Sequence, residues 1–243
     1  MPSVIPTLDR EQELADQGFD LIVGFDEVGR GALAGPVMVG AAAIWAADLP
    51  QLHVPDHVAD SKMLTERRRE AIYEDLEAWS AAWAVGQASN QEIDDWGISH
   101  ALGIAALRAL AQLEHHLGIG IASNQTSISS EATTTLRTPR IGAILDGPHD
   151  YITKALGTFE APDVPINAHV VTQVKGDQHC ATVASAAVIA KVTRDHLMIE
   201  LAERPEYAPY GWASNKGYGA KAHRQAIVDH GLCDLHRLSW KLT

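Results

Sequence analysis

The most restrictive feature of this sequence is a pair of apolar runs near its beginning, separated by a short polar segment. The runs are Leu21–Phe25 and Val37–Ile44, and between them lie Asp26, Glu27 and the glycine-flanked arginine Gly29-Arg30-Gly31. Apolar runs joined by a short loop predict an antiparallel pair of strands. Two charges at a strand end are costly to hold unless a cation binds them, and glycines let the main chain approach a ligand closely. The segment therefore predicts a sheet edge that binds a cation.

Further strands and helices alternate along the chain. Strands are predicted near 20–27, 36–46, 82–88, 141–145 and 168–174, and helices at 9–17, 66–80 after the N-cap Thr65, 98–117, 178–202 and up to His230. Glu92–Asp95 is predicted to be a turn, and Asn215–Gly219 a glycine-rich loop. The alternation indicates an α/β fold with a mixed central sheet flanked by helices, ending in a helical portion at about 204–243.

One domain accounts for the whole chain. It has 243 residues, of which 46% are hydrophobic and 21% charged, a composition that allows a soluble protein to bury a core. We expect residues 1–243 to form a single domain with a polar lead-in at 1–19. Residues 118–140 are rich in Ser, Thr and Gly and lack periodicity, which indicates a flexible surface insertion. A plain linker between two elements is the alternative.

The charge is negative overall but unevenly distributed. Lys and Arg number 19 against 31 Asp and Glu, which gives a net charge of −12, whereas a generic nucleic-acid binder is expected to be basic. Residues 1–174 hold 10 basic and 24 acidic side chains, and residues 175–243 hold 9 and 7. If a polyanion binds, we expect the C-terminal third to face its phosphates, helped by Arg30 and Lys62.

The sequence also indicates the compartment. No apolar run approaches the ~20 residues of a membrane span, and the first residues lack the basic and apolar regions of a signal peptide. The two cysteines, Cys180 and Cys233, fit no zinc spacing and suit a reduced protein. We therefore expect a cytoplasmic protein without a membrane partner, and nothing in the sequence requires more than a monomer.

Three separate apolar runs end in acids, and these acids are the candidate metal ligands. Asp26 and Glu27 follow the first run, Asp146 follows Leu145, and Asp177 lies shortly after Val174. Sites in open α/β sheets form outside strand ends, so four carboxylates meet if these ends are neighbours. Oxygen ligands of this kind suit Mg²⁺ or Mn²⁺. Two such ions ~3.5–4 Å apart can clamp the attacking and leaving oxygens of a phosphodiester.

Each acid also has a purely structural interpretation. Asp146-Gly147 is a common turn pair, and Asp177 precedes a predicted helix and can serve as its N-cap. Asp26 and Glu27 are neighbours, so on a regular strand they point to opposite faces.

Three other polar side chains near the predicted site are ambiguous. Asp195 lies within a predicted helix, and we interpret it as a structural residue paired with Arg194 or another neighbour. His149 and His179 lie near candidate acids, where they either assist proton transfer or are solvated loop residues.

Several motifs of this chain occur in an order that resembles type 2 ribonuclease H, also called ribonuclease HII. They span residues 20–240 and are DEVGRGALAGPV, ADSKMLTERRREAIY, EIDDWGI, ILDG, VKGDQHCATVASAAVIAKVTRD and NKGYGAKAH. The resemblance implies an RNase H-like fold and a site of four acids, which fall on Asp26, Glu27, Asp146 and Asp177. It implies metal-dependent hydrolysis of RNA in an RNA–DNA hybrid, leaving a 3′-hydroxyl and a 5′-phosphate. It also implies cleavage at single ribonucleotides embedded in DNA.

A ribonucleotide in DNA differs from its neighbours only by a 2′-hydroxyl. The loop Gly29-Arg30-Gly31 can bring main-chain N–H and C=O groups against that sugar. The sensing tyrosine of the family falls on Tyr218, whose ring can pack on the next deoxyribose; without the resemblance it is an ordinary loop aromatic. Candidate phosphate contacts, each of which is alternatively a plain surface residue, are Lys62, Lys175, Asn215, Lys216 and Lys221.

The sequence departs locally from the family pattern. The 118–140 segment is longer than the compact pattern needs, and Pro148 and His149 stand where an asparagine is common. Three other functions compete with an endoribonuclease: a silent nucleic-acid-binding module, a DNA-processing enzyme such as a resolvase or transposase, and a hydrolase of small phosphoesters. The retained acids argue against the first, the loop and Tyr218 against the second, and the lack of a Walker-type cradle against the third.

Overall fold

The structure is a computed structural model, and it describes residues 5–56, 58, 65–120 and 138–242. Two sequence predictions lie outside these residues. One is the phosphate contact at Lys62, and the other is the greater part of the 118–140 insertion.

A five-stranded mixed sheet forms the centre of the molecule. Its strands run in the spatial order β3-β2-β1-β4-β5. The pairs β1–β2 and β2–β3 are antiparallel, and β1–β4 and β4–β5 are parallel. The predicted antiparallel first pair and the mixed sheet are thus confirmed. The strand bounds are β1 Leu21–Val28, β2 Val37–Trp45, β3 Ala82–Ala88, β4 Ile141–Asp146 and β5 His169–Gln173.

Helices cover both faces of the sheet, as the sequence predicted. Thr65 caps α2, because its hydroxyl oxygen accepts a hydrogen bond from Arg68 N–H at 3.3 Å. The α-helices are α1 Asp9–Asp16, α2 Glu66–Trp79, α3 Asn90–Trp96, α4 Ile98–His116, α5 Ile152–Ala155, α6 Gly176–His179, α7 Ala181–Ala202, α8 Trp212–Asn215 and α9 Lys221–His230, and short 3₁₀ turns span Ala46–Gln51 and Ala208–Tyr210.

Glycines allow α7 to lie very close to the sheet. A Cβ built on Gly24 of β1 meets the α7 main chain at Thr182 at 2.3 Å, and one built on Gly40 of β2 meets Ala186 O at 2.3 Å. Real Cβ atoms do not approach that closely, so only glycine fits at either position. On the opposite face α4 packs over β2 and β3 and buries the largest apolar cluster. These contacts fix α7 against β1 and β2.

The C-terminal portion packs against the loop that joins β1 to β2. Leu33 and Ala34 of that loop lie in one apolar cluster with Tyr210, Trp212 and Ile227. Isolated β-bridges join Ala32 to Tyr218 and Ala34 to His236. The loop from residue 29 to 36 is therefore held between two C-terminal segments.

Two local predictions were wrong. Residues 92–95 lie in the helix α3 rather than in a turn, and the helix begins with a capping box. In that box Glu92 N–H donates to Ser89 Oγ and Ser89 N–H donates to the Glu92 carboxylate. The predicted helix 178–202 is two helices, α6 and α7, because Cys180 between them has an extended main chain.

Among the described residues, no helix combines the length and the apolar character that crossing a bilayer requires.

Candidate metal centre and adjoining loop

The register of the parallel pair β1–β4 places two acids side by side. Phe25 and Leu145 are the last pair of the parallel ladder, so the next residues, Asp26 within β1 and Asp146 at the end of β4, lie side by side at the same end of the sheet. The side chain of Asp26 lies on the α7 face of β1, like that of Ile22, because residues two apart on a strand share a face. In both strands an acid follows an apolar run, and the pairing of the two runs places the two acids next to each other.

A sharp turn after β5 brings the third acid to this end of the sheet. Lys175 has a left-handed main chain with φ 57° and precedes the short helix α6, which contains Asp177. Gly176 N–H donates to Asp146 Oδ1 at 2.7 Å. One carboxylate oxygen from each of Asp26, Asp146 and Asp177 lies within 4.8 Å of the others. The metal hypothesis requires that acids distant in the sequence lie close together, and these three do.

This cluster suits a hard divalent cation. Its donors are all carboxylate oxygens, the ligand type that Mg²⁺ and Mn²⁺ prefer. Asp26 is 5% exposed and Asp177 2% exposed, so water screens their charges poorly. Negative groups held this closely repel one another, and a bound divalent ion removes that cost. The residues present therefore fit the metal that the sequence predicted.

Glu27 lies on the other side of the strand from Asp26 and is not part of that group of three. Its carboxylate accepts hydrogen bonds from Arg30 Nη1 at 3.1 Å and from the Tyr151 hydroxyl at 3.2 Å. Burial, together with the charges of Glu27 and Asp26, raises the pKa of Tyr151 well above its ordinary value, so Tyr151 stays a neutral donor. The sequence analysis gave Tyr151 no role. Glu27 and Asp146 both border a cavity of about 350 Å³ on this side.

The glycine-flanked arginine forms a loop beside the acids. Gly29 has φ 79°, and a Cβ on it meets Arg194 Nε at 2.1 Å, so no other residue fits there. A Cβ on Gly31 meets nothing within 4 Å. The protein itself therefore does not require glycine at 31, and that position is open to a ligand.

Tyr218 lies against this loop. Gly29 N–H donates to Tyr218 Oη at 3.2 Å. A cavity of about 270 Å³ brings the loop, Tyr218 and acids of the site together; it is lined by Asp26, Glu27, Val28, Gly29, Arg30, Gly31, Arg69, Asp146, Ala187, Lys191 and Tyr218. The predicted loop and tyrosine are thus adjacent to the acid cluster.

Two cationic residues of this cavity were missed by the sequence analysis. Lys191 Nζ donates to Asp195 Oδ1 at 2.5 Å, and Arg69 Nη2 lies 3.8 Å from Asp195 Oδ2. Asp195 therefore pairs with Lys191 and Arg69 rather than with Arg194. Burial lowers the pKa of Lys191, and Asp195 opposes that change. The signal in the sequence was the spacing of four between Lys191 and Asp195 on a helix.

Two buried arginines hold the loop from beneath. Arg194 donates to the carbonyls of Pro36, Ala34 and Lys216 at 2.9–3.2 Å. Arg237 donates to the carbonyls of Gly29, Arg30 and Gly35 at 2.7–3.1 Å.

Both side chains are 0% exposed, and neither Arg194 nor Arg237 forms an ion pair with a described carboxylate. Burial lowers the pKa of both, and for Arg237, where the charge of Arg194 adds to it, to about 9. Arginine is not deprotonated in proteins at neutral pH, so both guanidiniums are charged.

The other predicted contacts lie around the site. Lys175 is exposed, as are His149 and His179. Asn215 is used within its own loop, since its Nδ2 donates to Tyr210 O at 2.7 Å and its Oδ1 accepts from Gly217 N–H at 2.9 Å. Lys216 is 8% exposed, and its Nζ donates to Ala213 O at 2.5 Å. Asn215 and Lys216 thus shape the loop that carries Tyr218.

The fold and the acid cluster together define a metal-dependent nuclease. A family profile described as Ribonuclease HII matches residues 23–145 and 148–243. A Ribonuclease HII of Streptomyces avermitilis is 40% identical over 241 residues, which cover 99% of this chain and 85% of that protein. The chain belongs to the ribonuclease HII family, and it is a metal-dependent ribonuclease.

Solved structures confirm the RNase H-like fold. The ribonuclease H2 of Pyrococcus horikoshii OT3 matches with a TM-score of 0.64 at 23% identity, over 91% of this chain and 94% of that one. A structure of Bst-RNase HIII in complex with Mn²⁺ matches with a TM-score of 0.63 at 21% identity, over 94% and 70% of the two chains.

Proposed function

We propose that this protein is an endoribonuclease that hydrolyses the RNA strand of RNA–DNA hybrids and also cuts duplex DNA on the 5′ side of a single embedded ribonucleotide. Both cuts leave a 3′-hydroxyl and a 5′-phosphate, and the second begins the removal of ribonucleotides from DNA. Membership of the ribonuclease HII family supports the action on hybrids. The observation that carries the finer proposal is the single cavity that holds acids, loop and tyrosine together.

The proposed cofactor is a pair of Mg²⁺ or Mn²⁺ ions, held by Asp26, Glu27, Asp146 and Asp177. The all-oxygen donor set supports this choice, and so does the Mn²⁺ complex of Bst-RNase HIII. When bound, such ions supply an activated water and stabilise the leaving oxygen of the phosphodiester.

Main-chain groups orient the carboxylates before any ligand binds. Glu27 N–H donates to Asp26 Oδ1 at 2.9 Å, and Gly176 N–H donates to Asp146 Oδ1 at 2.7 Å. Arg30 and Tyr151 hold Glu27 on the other side of the strand. Preorganised groups of this kind need little rearrangement during the reaction.

We assign recognition of the ribose to Gly29, Arg30, Gly31 and Tyr218. The Tyr218 oxygen accepts from Gly29 N–H, which leaves the phenolic hydrogen to donate to a 2′-hydroxyl. Gly31 leaves the space that a sugar needs for close approach. DNA lacks the 2′-hydroxyl, so an all-DNA duplex cannot accept this hydrogen bond.

Phosphate contacts are proposed for cationic side chains around the cavity. Arg30, Arg69 and Lys191 line it directly, and Lys175 is exposed just before Asp177. Lys62 remains a predicted contact, and we propose that Asn215 and Lys216 contribute by supporting the Tyr218 loop. Action as a monomer in the cytoplasm completes the proposal.

A cleavage assay with matched duplexes tests this function. The substrates are a DNA duplex with one ribonucleotide, the same duplex without it, and a long RNA–DNA hybrid, each with Mg²⁺ or Mn²⁺ and with EDTA. We expect a single cut 5′ of the ribonucleotide, cleavage of the hybrid, and no cut in the all-DNA control. Equal cleavage of the first two duplexes would defeat the proposed recognition of the sugar. Full activity in EDTA would show that cleavage does not need a divalent metal ion.

A further inference from the structure

Two buried histidines lie side by side in the C-terminal portion, outside the acid cluster. His223 is 0% exposed and His236 1% exposed. Their Nε2 atoms are 3.2 Å apart. Two ring nitrogens at this distance need one hydrogen between them, so the tautomers of the two rings are coupled.

The partners of His223 fix its tautomer. Its Nδ1 lies 2.9 Å from Tyr218 O, and a carbonyl oxygen only accepts, so Nδ1 carries the hydrogen. Trp212 Nε1–H donates to His223 Nε2 at 3.1 Å, so Nε2 carries none. Both contacts require the same neutral ring, with its hydrogen on Nδ1.

The partners of His236 fix the complementary tautomer. Cys233 N–H donates to His236 Nδ1 at 3.0 Å, so the hydrogen of the neutral ring is on Nε2. That hydrogen points at His223 Nε2, whose single lone pair it shares with Trp212 Nε1–H. A continuous chain of hydrogen bonds therefore runs from Cys233 through His236 and His223 to the main chain of Tyr218, and it includes no charged group.

Arg237, which follows His236, binds the other part of the proposed ribose site, the Gly29–Gly31 loop. Arg237 donates to the carbonyls of Gly29, Arg30 and Gly35. The dipeptide His236-Arg237 therefore contacts His223, which holds Tyr218, with one side chain and the glycine loop with the next. The two are joined directly by the 3.2 Å hydrogen bond between Gly29 N–H and Tyr218 Oη. That distance is at the long end of the normal range, so a small displacement of either part breaks it.

We propose that His223 and Arg237, with His236 supporting the ring of His223, are positioning residues that set the distance between Tyr218 and the Gly29–Gly31 loop, and thereby the preference for a ribonucleotide embedded in DNA. This inference rests on the proposed function, because it assumes that Tyr218 and the loop bind the ribose. Residues of this kind act on the substrate only through the groups they hold.

The surroundings of the pair keep it neutral. Burial lowers the pKa of both rings, and that of His236 to about 4. The charge of Arg224 lowers the pKa of His223, and Asp234 acts on His236 in the opposite direction. At neutral pH the chain of hydrogen bonds is therefore complete.

A matched pair of substitutions at His223 separates positioning from stability. His223→Asn keeps a donor near the position of Nδ1, toward Tyr218 O, but loses the acceptor for Trp212 and His236. His223→Gln keeps an acceptor near the position of Nε2 but loses the donor to Tyr218. Buried donors left without a partner are costly, so we expect the Asn variant to melt at the lower temperature.

Selectivity is expected to follow the opposite order. It is measured as the kcat/KM for the single-ribonucleotide duplex divided by that for the long hybrid. Loss of one buried hydrogen bond corresponds to roughly a five- to tenfold change, which we expect for the Gln variant. The Asn variant is expected to stay within about twofold of wild type. A selectivity that follows the melting temperatures, or is unchanged in both, would overturn the inference.

Tyr218→Ala separates this inference from the proposed function. If that substitution leaves the selectivity ratio unchanged, then Tyr218 does not sense the sugar and the proposed function fails at that point. If it lowers the ratio while His223→Gln does not, the function stands and the positioning inference fails.

Measurements on the wild-type protein keep the inference testable if a variant does not fold. Nitrogen-15 spectra of the imidazole rings at neutral pH should show His223 with its hydrogen on Nδ1 and His236 with its hydrogen on Nε2. The reverse tautomers, or a charged ring, would contradict the chain. At His236, Gln keeps a donor toward His223 and Asn does not. The bond from His223 Nδ1 to Tyr218 O remains in both variants, so both should keep the selectivity of wild type to within about twofold, and the Asn variant should melt at the lower temperature.

Discussion

The acid cluster and the ribose loop are adjacent but are built in different ways. Asp26 and Asp146 are brought together by strand register, because each follows the last residue pair between β1 and β4. The Gly29–Gly31 loop and Tyr218 are held together by the β-bridge between Ala32 and Tyr218 and by the buried side chains of Arg237 and His223, which bond to main-chain carbonyls. The topology of the sheet thus places the proposed reactive groups, whereas long-range hydrogen bonds place the groups proposed to choose the substrate.

The two regions also differ in what they contribute to stability. Carboxylates within 4.8 Å of one another repel until a cation binds. In the loop region, by contrast, the buried donors of Arg194 and Arg237 form hydrogen bonds with main-chain carbonyls. Substitutions should therefore separate the regions: changes in the first are expected to affect turnover, and changes in the second stability and selectivity.

The largest effect is expected for Asp26→Asn. Loss of a carboxylate from the cluster should lower kcat by at least about a hundredfold, while the Kd for the duplex changes by only a few-fold. Single-turnover cleavage and binding in Ca²⁺ measure the two quantities. Asp163→Asn, an exposed acid elsewhere, is the matched control. Activity within a few-fold of wild type would show that Asp26 is not a principal metal ligand.

Arg237→Met tests whether the loop region depends on its buried donors. The substitution removes the guanidinium donors to the carbonyls of Gly29, Arg30 and Gly35, so we expect the free energy of unfolding to fall by about 2–4 kcal/mol. Urea denaturation measures it, and Arg204→Met, at an exposed arginine, is the control. Equal stability of the two variants would show that Arg237 does not stabilise the loop.

Tyr218→Ala should alter substrate preference rather than folding. We expect about a tenfold loss of cleavage at a single ribonucleotide, equivalent to ~1.4 kcal/mol, and a smaller loss on a long hybrid. Tyr218→Phe, which keeps the ring and removes the hydroxyl, separates stacking from hydrogen bonding. A greater loss on the hybrid than on the single ribonucleotide would count against the sensing role.

The smallest effect concerns pH. The folded protein lowers the pKa of His223 and His236, the latter to about 4, from an ordinary value of 6.5. Below about pH 6.5 the unfolded chain binds protons at these histidines that the folded chain does not. The free energy of unfolding is therefore unaffected by the two histidines above that pH and falls as the pH drops toward 4. Melting temperatures between pH 7 and 4.5 should fall more steeply in wild type than in His236→Gln. Parallel curves would mean that His236 does not titrate in this way.

The sheet and the acid cluster could be predicted from the sequence because their signals are local. An apolar run followed by an acid predicts both a strand and the position of a carboxylate at its end, as at Leu145-Asp146. The helix α3 was missed because two adjacent acids suggested a turn, although the spacing of Ser89 and Glu92 is that of a capping box.

The supports of the loop could not be predicted. Arg194 and Arg237 are charged residues that a sequence places at the surface, yet each is buried on carbonyls that are distant in the chain. His223 and His236 look like ordinary helix and loop residues until the fold brings their rings into contact. Lys191 and Arg69 come from different helices, and only the packing of α2 on α7 brings them to one acid.

The two guanidiniums beneath the loop bear on how a protein of net charge −12 attracts a polyanion. Surface lysines attract phosphates through a field that dissolved ions weaken over about 10 Å at 0.1 M ionic strength. Arg194 and Arg237 are sealed from solvent, so mobile ions cannot gather around them. Their attraction for a substrate at the Gly29–Gly31 loop should therefore weaken less with rising ionic strength than the attraction of the surface lysines.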